Sequence, residues 1–146
     1  MSNYNGLVGT ELSRFSFTVE RGKIREMVLA IGDDNPVYTD TEYARNMGYR
    51  DIIAPPTFGT CMDFWGGQDF MTLCLNLKIN PLKVLHGGQE YRYLGEINPG
   101  DKIEARCTLK GFADKGKMHI FHLETIYQNQ HGKTVLVSLS TVIERK

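Results

Sequence analysis

The sequence predicts an α+β domain in which an antiparallel sheet of about five strands wraps around a central buried helix. Three observations carry this reading. Residues 101–144 run strand, turn, strand to the end of the chain; residues 57–75 are apolar nearly all round, as a buried helix is; and an alternating segment, residues 14–19, precedes that helix. With 146 residues, 41% of them hydrophobic, the chain suits a single domain over residues 1–146 with a real core.

In residues 14–19, Phe15, Phe17 and Val19 share one face and Ser16 and Thr18 the other, the pattern of a half-buried strand. From Arg21 the period changes. Ile24, Met27, Val28 and Ile31 stand at i, i+3, i+4 and i+7, the stripe of a short amphipathic helix that Gly32 ends. Gly32-Asp33-Asp34-Asn35-Pro36 is dense turn chemistry, because glycine tolerates left-handed angles, Asp and Asn bond nearby backbone, and proline fixes φ. Thr39 and Thr41 are expected to cap a second short helix, residues 42–47, closed by Gly48. Pro55-Pro56 cannot lie inside a helix but can lead into one, and Gly66-Gly67 is expected to interrupt or kink the apolar helix.

Four strands follow, at residues 83–94, 101–110, 118–128 and 133–144. Their expected faces are Leu85, Gly87, Gln89, Tyr91 and Tyr93; Ile103, Ala105, Cys107 and Leu109; and, on the last strand, Val135, Val137, Leu139, Thr141 and Ile143. Asn98-Pro99-Gly100, Asp114-Lys115-Gly116 and Asn129-Gln130-His131-Gly132 are the turns. Such a sheet leaves an edge and part of one face open, so dimerisation is expected. Gln89, Tyr91 and Tyr93 suit either a dimer edge or a stacked ligand, and the dimer is preferred.

Seventeen basic and seventeen acidic side chains cancel, and no basic run exceeds two residues, so neither nucleic acid nor a membrane surface is an expected partner. The N-terminus lacks a signal-peptide pattern, and the apolar runs are far too short to span a bilayer. Cys61, Cys74 and Cys107 are odd in number and lack CxxC spacing, which argues against a zinc knuckle or disulfide framework and for a reducing cytoplasm. His119 and His122 fall on opposite faces of a strand and His131 in a turn, so no metal site is expected.

Four blocks, in order, carry a resemblance: Gly32-Asp33-Asp34-Asn35-Pro36, Ala54-Pro55-Pro56-Thr57-Phe58, Val84-Leu85-His86-Gly87-Gly88-Gln89-Glu90-Tyr91 and Asn98-Pro99-Gly100-Asp101. Over residues 7–144 the chain resembles the MaoC-like hot-dog dehydratases. It is most similar to their N-terminal, fungal-fatty-acid-synthase-type branch, which includes non-catalytic subunits of heterodimeric (R)-3-hydroxyacyl-thioester dehydratases. The resemblance implies a hot-dog fold paired into dimers, with acyl-CoA or acyl-carrier thioesters entering at the dimer interface for hydration or dehydration. It implies no cofactor beyond the phosphopantetheine that the substrate carries.

Reversible dehydration needs a base for the α-proton, an acid for the departing hydroxyl and donors for the enolate oxygen. Active relatives use Gly-Asp-x-Asn-Pro-x-His for the first two and a backbone N–H in a His-Gly sequence at the buried helix for the third. In this sequence Asp33 matches the acid/base Asp and Asn35-Pro36 the turn, but Tyr38 stands in the histidine's place. A phenol titrates near pH ~10 against ~6.5 for imidazole, so Tyr38 donates a hydrogen bond but is a poor proton shuttle. Pro55-Pro56 replaces His-Gly, and proline has no N–H. An oxyanion donor is typically worth about 3–4 kcal/mol, and an acid/base group a further ~10²- to 10⁴-fold.

The resemblance therefore implies a non-catalytic, substrate-holding hot-dog subunit, with Asn35, Pro56, Thr57, Phe58, His86, Gly87 and Gly88 at the substrate and Asp33 and Tyr38 at the former catalytic positions. Two alternatives stay open: a self-sufficient homodimeric acyl-CoA hydratase or thioesterase using Asp33, with Tyr38 or His86, and a non-enzymatic acyl-thioester-binding module. Plainer roles compete at single residues. Asp33 can be a turn residue bonding the amide of Asn35 or Val37. Asp34 faces solvent, His86 suits a satisfied buried histidine, and Met62, Phe64 and Trp65 suit core or pocket lining.

Overall fold

In the computed structural model, which describes residues 4–146, five strands form one antiparallel sheet: β1 (Glu11–Thr18), β2 (Val84–Tyr93), β3 (Lys102–Asp114), β4 (Met118–Gln128) and β5 (Thr134–Arg145). Their order is β1-β3-β4-β5-β2, with β1 and β2 at the two edges. Consecutive hairpins join β3, β4 and β5, and their turns use Gly116 and Gly132 at φ 74° and 71°, a conformation costly for any side chain with a Cβ. Four helices complete the fold: α1 (Arg21–Ile31), α2 (Thr41–Asn46), α3 (Phe58–Gly66) and α4 (Phe70–Leu77). No helix among the described residues is long and apolar enough to cross a membrane.

The expected helix at residues 57–75 is two helices. Gly67, at φ 121°, ends α3, and the Asp69 side chain accepts from the Thr72 amide to cap α4. One side of α3 packs on the sheet through Phe58 and Met62, both fully buried, and the Phe58 ring meets Phe17 of β1 edge to face at 6.0 Å. Two glycines permit that approach. A Cβ on Gly66 would fall 2.3 Å from Phe15 Cδ2, and one on Gly59 2.4 Å from Tyr91 Cε1.

Burial of this region is one-sided, contrary to the all-round burial that its composition predicts. Trp65 is 69% exposed and Leu75 71%, and Phe64, Phe70 and Met71 are also open. The sheet can cover only the helix side that faces it. Trp65 instead lies under the Lys23 ammonium, 4.4 Å from its ring centre.

Other differences have equally local reasons. The Asp40 side chain, not Thr39 or Thr41, caps α2, accepting from the Tyr43 amide, while Thr41 joins Arg21 and Asp51 in a surface network. On β5 the buried face is Leu136, Ser138 and Val142; of the expected set only Val135 is buried, next to Gly95. The outer face of β5 is the more apolar one, so alternation selects the wrong phase. A bulge between His86 and Gly88 breaks the expected single face of β2. β1 begins before residue 14, and Tyr4, in a stretch with little sequence signal, is buried against Phe112 and Phe121.

The Asn98-Pro99-Gly100-Asp101 turn is fastened to the segment before α3. The Asn98 amide nitrogen donates to Ile52 O at 3.0 Å, Arg50 donates to Asn98 Oδ1 and Asp101 Oδ1, and the buried Asp101 accepts from the Asn98 backbone. Burial alone would raise the Asp101 carboxyl, but those donors outweigh it and hold the group below the usual carboxylate range. The Ala54 amide, bonded to Ile97 O at 2.8 Å, continues the attachment up to the two prolines.

Gly66→Ala tests the close seating of α3. It is expected to destabilise the fold by about 1–3 kcal/mol, read as a lower urea midpoint at unchanged m-value, because the Phe15 ring must move.

Candidate functional site

Gly32, at φ 69°, closes α1, and Asp33 N bonds back to Val28 O at 3.1 Å. Asp33 Oδ1 then accepts from the Asn35 amide at 3.0 Å and Asn35 Oδ1 from the Val37 amide at 3.1 Å. These two side-chain turns set the backbone that leads into the short 3₁₀ turn Pro36–Tyr38. One oxygen of the Asp33 carboxylate is thus engaged by its own turn. Asp34 is exposed.

Tyr38 is buried, and its phenol is pushed above its ordinary value, first by burial and then by the Asp33 charge. It stays a neutral donor throughout the neutral range. It lines a hollow of ≈ 390 Å³ with Tyr49, Ile53, Pro56, Tyr93 and Ile97. Tyr93 closes the side toward α3. Its hydroxyl donates to Pro55 O at 3.2 Å and Pro56 O at 2.9 Å, and burial pushes its pKa well above the tyrosine range.

A second, larger hollow is the groove of ≈ 530 Å³ between α3 and α4 on one side and β2 and β5 on the other. Phe64, Phe70, Leu73, Leu85 and Val142 give it apolar walls, and Thr57, Thr60, Asp63, Gln68, His86, Gln89 and Tyr91 are its polar groups. That size and mixture suit a small amphipathic ligand. Most of these polar groups are already paired. Thr60 Oγ1 and Tyr91 OH are 2.7 Å apart, Gln89 donates to Ser138 Oγ, and Ser13 donates to Gln68 Oε1.

Asp63 is the group that sequence reasoning missed. Burial raises its carboxyl to about 7, against the pull of the Tyr127 hydroxyl, which donates to Oδ1 at 2.5 Å. Tyr127 is itself driven far above its ordinary value by burial and by the Asp63 charge. A carboxyl that is partly neutral at pH 7 can both donate and accept a hydrogen bond inside an apolar groove. The signal was present in the sequence: Asp63 is the one charged residue in Phe58-Gly59-Thr60-Cys61-Met62-Asp63-Phe64-Trp65-Gly66.

The residues singled out from sequence are therefore divided among several places. Tyr38 and Pro56 share the smaller hollow, and Thr57 and the exposed His86 line the groove. Asp33 and Asn35 form the turn beside Tyr38. Phe58 lies in the core, and Gly87 sits at the β2 bulge, where a Cβ would meet Ile143 Cδ1 at 2.8 Å. Gly88 lines a shallow depression with Glu90, His122 and Thr141. Tyr91 and Tyr93 turn toward α3 and the prolines, while β2 itself remains an edge.

Comparison with known proteins agrees with this architecture. Residues 6–137 match the family described as FAS1-like, dehydratase domain region. A UPF0336 protein of Streptomyces avermitilis is 32% identical over 130 residues, covering 88% of this chain and 85% of that protein. Among solved structures, the C-terminally truncated HadBC (3R-hydroxyacyl-ACP dehydratase) complex of Mycobacterium tuberculosis superposes with a TM-score of 0.80 at 20% identity, over 94% of this chain and 96% of that one. The ChsH1-ChsH2 complex of Mycobacterium tuberculosis gives 0.75 at 16% identity, over 94% and 98%. These likenesses show the hot-dog fold.

The Asp63 carboxyl has a measurable effect on stability. Its folded pKa lies above the unfolded value, so the native state holds the extra proton between pH ~4 and ~7 and stability falls as pH rises through that window. Asp63→Asn is expected to flatten this slope in urea titrations, leaving the variant more stable than wild type by about 2–4 kcal/mol at pH ~8.

Proposed function

The chain belongs to the FAS1-like dehydratase domain region, a MaoC-like hot-dog dehydratase family, and from that premise we propose that it is the non-catalytic, substrate-holding half of a heterodimeric (R)-specific enoyl-thioester hydratase or 3-hydroxyacyl-thioester dehydratase. The observation that carries this is the state of Tyr38. By the resemblance it stands in the place of the acid/base histidine; in the structure it is buried, and its phenol is pushed further from neutrality. Its two collaborators bear on the same reading: Asp33 gives Oδ1 to the Asn35 amide, and Pro56 has no N–H to offer an oxyanion.

A partner chain with an intact Gly-Asp-x-Asn-Pro-x-His would supply the proton transfers. This chain would supply the groove beside α3 and α4 for the acyl group of a CoA or carrier-protein thioester. The two superposed neighbours named above are complexes of two kinds of subunit, which favours a heterodimer over a homodimer. The substrate brings its own phosphopantetheine, so no further cofactor enters. Three free cysteines, Cys61, Cys74 and Cys107, suit work in the cytoplasm.

Co-expression with a hot-dog partner that carries the intact motif, followed by hydration of a 2-enoyl-CoA, tests the proposal. The pair is expected to turn over and the lone chain to fall short by ~10²-fold or more. Equal rates for the lone chain would refute it. Asp33→Asn in this chain is expected to leave the rate of the pair nearly unchanged, whereas a ~10²-fold loss would assign Asp33 to catalysis.

A further inference from the structure

Of the polar side chains that line the groove, Thr57, His86 and Ser140 have no side-chain hydrogen bond among the described residues, and the one carboxyl, Asp63, is satisfied at only one of its oxygens. Thr60 is paired with Tyr91, Gln68 with Ser13 and Gln89 with Ser138. Asp63 gives Oδ1 to Tyr127 and, among the described residues, has no protein hydrogen-bond partner for its second oxygen. Among the described residues no partnerless side-chain oxygen is sealed from solvent, so that oxygen is open on the side of the groove that Asp63 lines. An alkyl chain lying there would strip water from the carboxyl and give nothing back. An oxygen on the chain would replace the lost water hydrogen bond.

Position along α3 adds a distance. Asp63 lies six residues beyond Thr57, about 9 Å of helix rise from the end of the groove that adjoins Pro56. With the thioester at that end, beside the segment that the resemblance puts at the substrate, Asp63 meets the chain well past the carbons that gain or lose water. We propose that Asp63 is a specificity-determining residue of the groove, selecting an acyl chain that carries a hydroxyl or keto oxygen beyond its third carbon.

The inference rests on the acyl-thioester reading and deepens it, and calorimetry separates the two. The purified chain, with any hot-dog partner it retains, is titrated with dodecanoyl-CoA and with a positional series of monohydroxylated dodecanoyl-CoAs whose hydroxyl lies beyond the third carbon. At least one hydroxylated isomer is expected to bind about 10-fold more tightly than the plain chain, and Asp63→Leu to reverse that order. A plain chain bound by the wild type as tightly as every hydroxylated isomer overturns the inference and leaves the thioester reading standing. Failure of the wild type to bind any CoA ester overturns both. Where the leucine variant does not fold, the wild-type series can still overturn the inference, and Asp63→Ala, expected to lose the preference, takes the place of the leucine variant.

Discussion

The seating of α3 on the inner face of the sheet is the constraint from which the rest follows. Burying Phe58 and Met62 there contributes roughly 2–3 kcal/mol each. The contact exists only because Gly59 and Gly66 leave room for Tyr91 and Phe15. Once the helix is that close, Asp63 comes to rest over the Tyr127 hydroxyl, and the Thr57 end is fixed beside Tyr93 and the proline carbonyls. The groove is the space left where α3 and α4 diverge from β2 and β5. Its shape is a by-product of helix seating, and its polarity is set by which residues happen to stand on the rim.

The Asp33 turn has a structural role of its own, whatever chemistry its motif is associated with. Asp33 bonds the Asn35 amide, Asn35 bonds the Val37 amide, and Pro36 holds φ for the turn that follows. These bonds stabilise the connection between α1 and α2 whatever stands at residue 38. A tyrosine there keeps the packing, since Tyr38 belongs to the same apolar cluster as Val37, Ile52 and Phe58. Local hydrogen bonding and packing are thus sufficient to hold this frame in place.

Much of the fold was legible where one physical signal dominates. β3 alternates without ambiguity, and Ile103, Ala105, Cys107 and Leu109 are all buried as read; Gly32, Gly100, Gly116 and Gly132 all adopt positive φ at their expected turns. Legibility failed where two signals compete. On β5 both phases of the alternation carry apolar residues, and the buried one includes Ser138. At α2, Asp40 and its threonine neighbours are all competent caps, and only geometry chooses. The candidate site was half legible. Tyr38 and Pro56, singled out from sequence, line one hollow together, but Asp63 becomes chemically unusual only through burial against Tyr127, a residue 64 positions away.

The strand order β1-β3-β4-β5-β2 also bears on how the chain reaches this state. The β3, β4 and β5 meander closes through turns of a few residues and needs little loop entropy. Each edge strand, by contrast, arrives from far off: β1 pairs with a segment roughly ninety residues away, and β2 joins β5 across the whole meander. The helices lie between the two edge strands in sequence, and the groove has both its walls only once the long-range pairing of β2 with β5 is made. Until then the apolar side of α3 and α4 that the sheet later covers, with Phe58, Met62, Cys74 and Leu77, has no sheet face to rest against, which makes the unfinished chain more prone to self-association than the folded one.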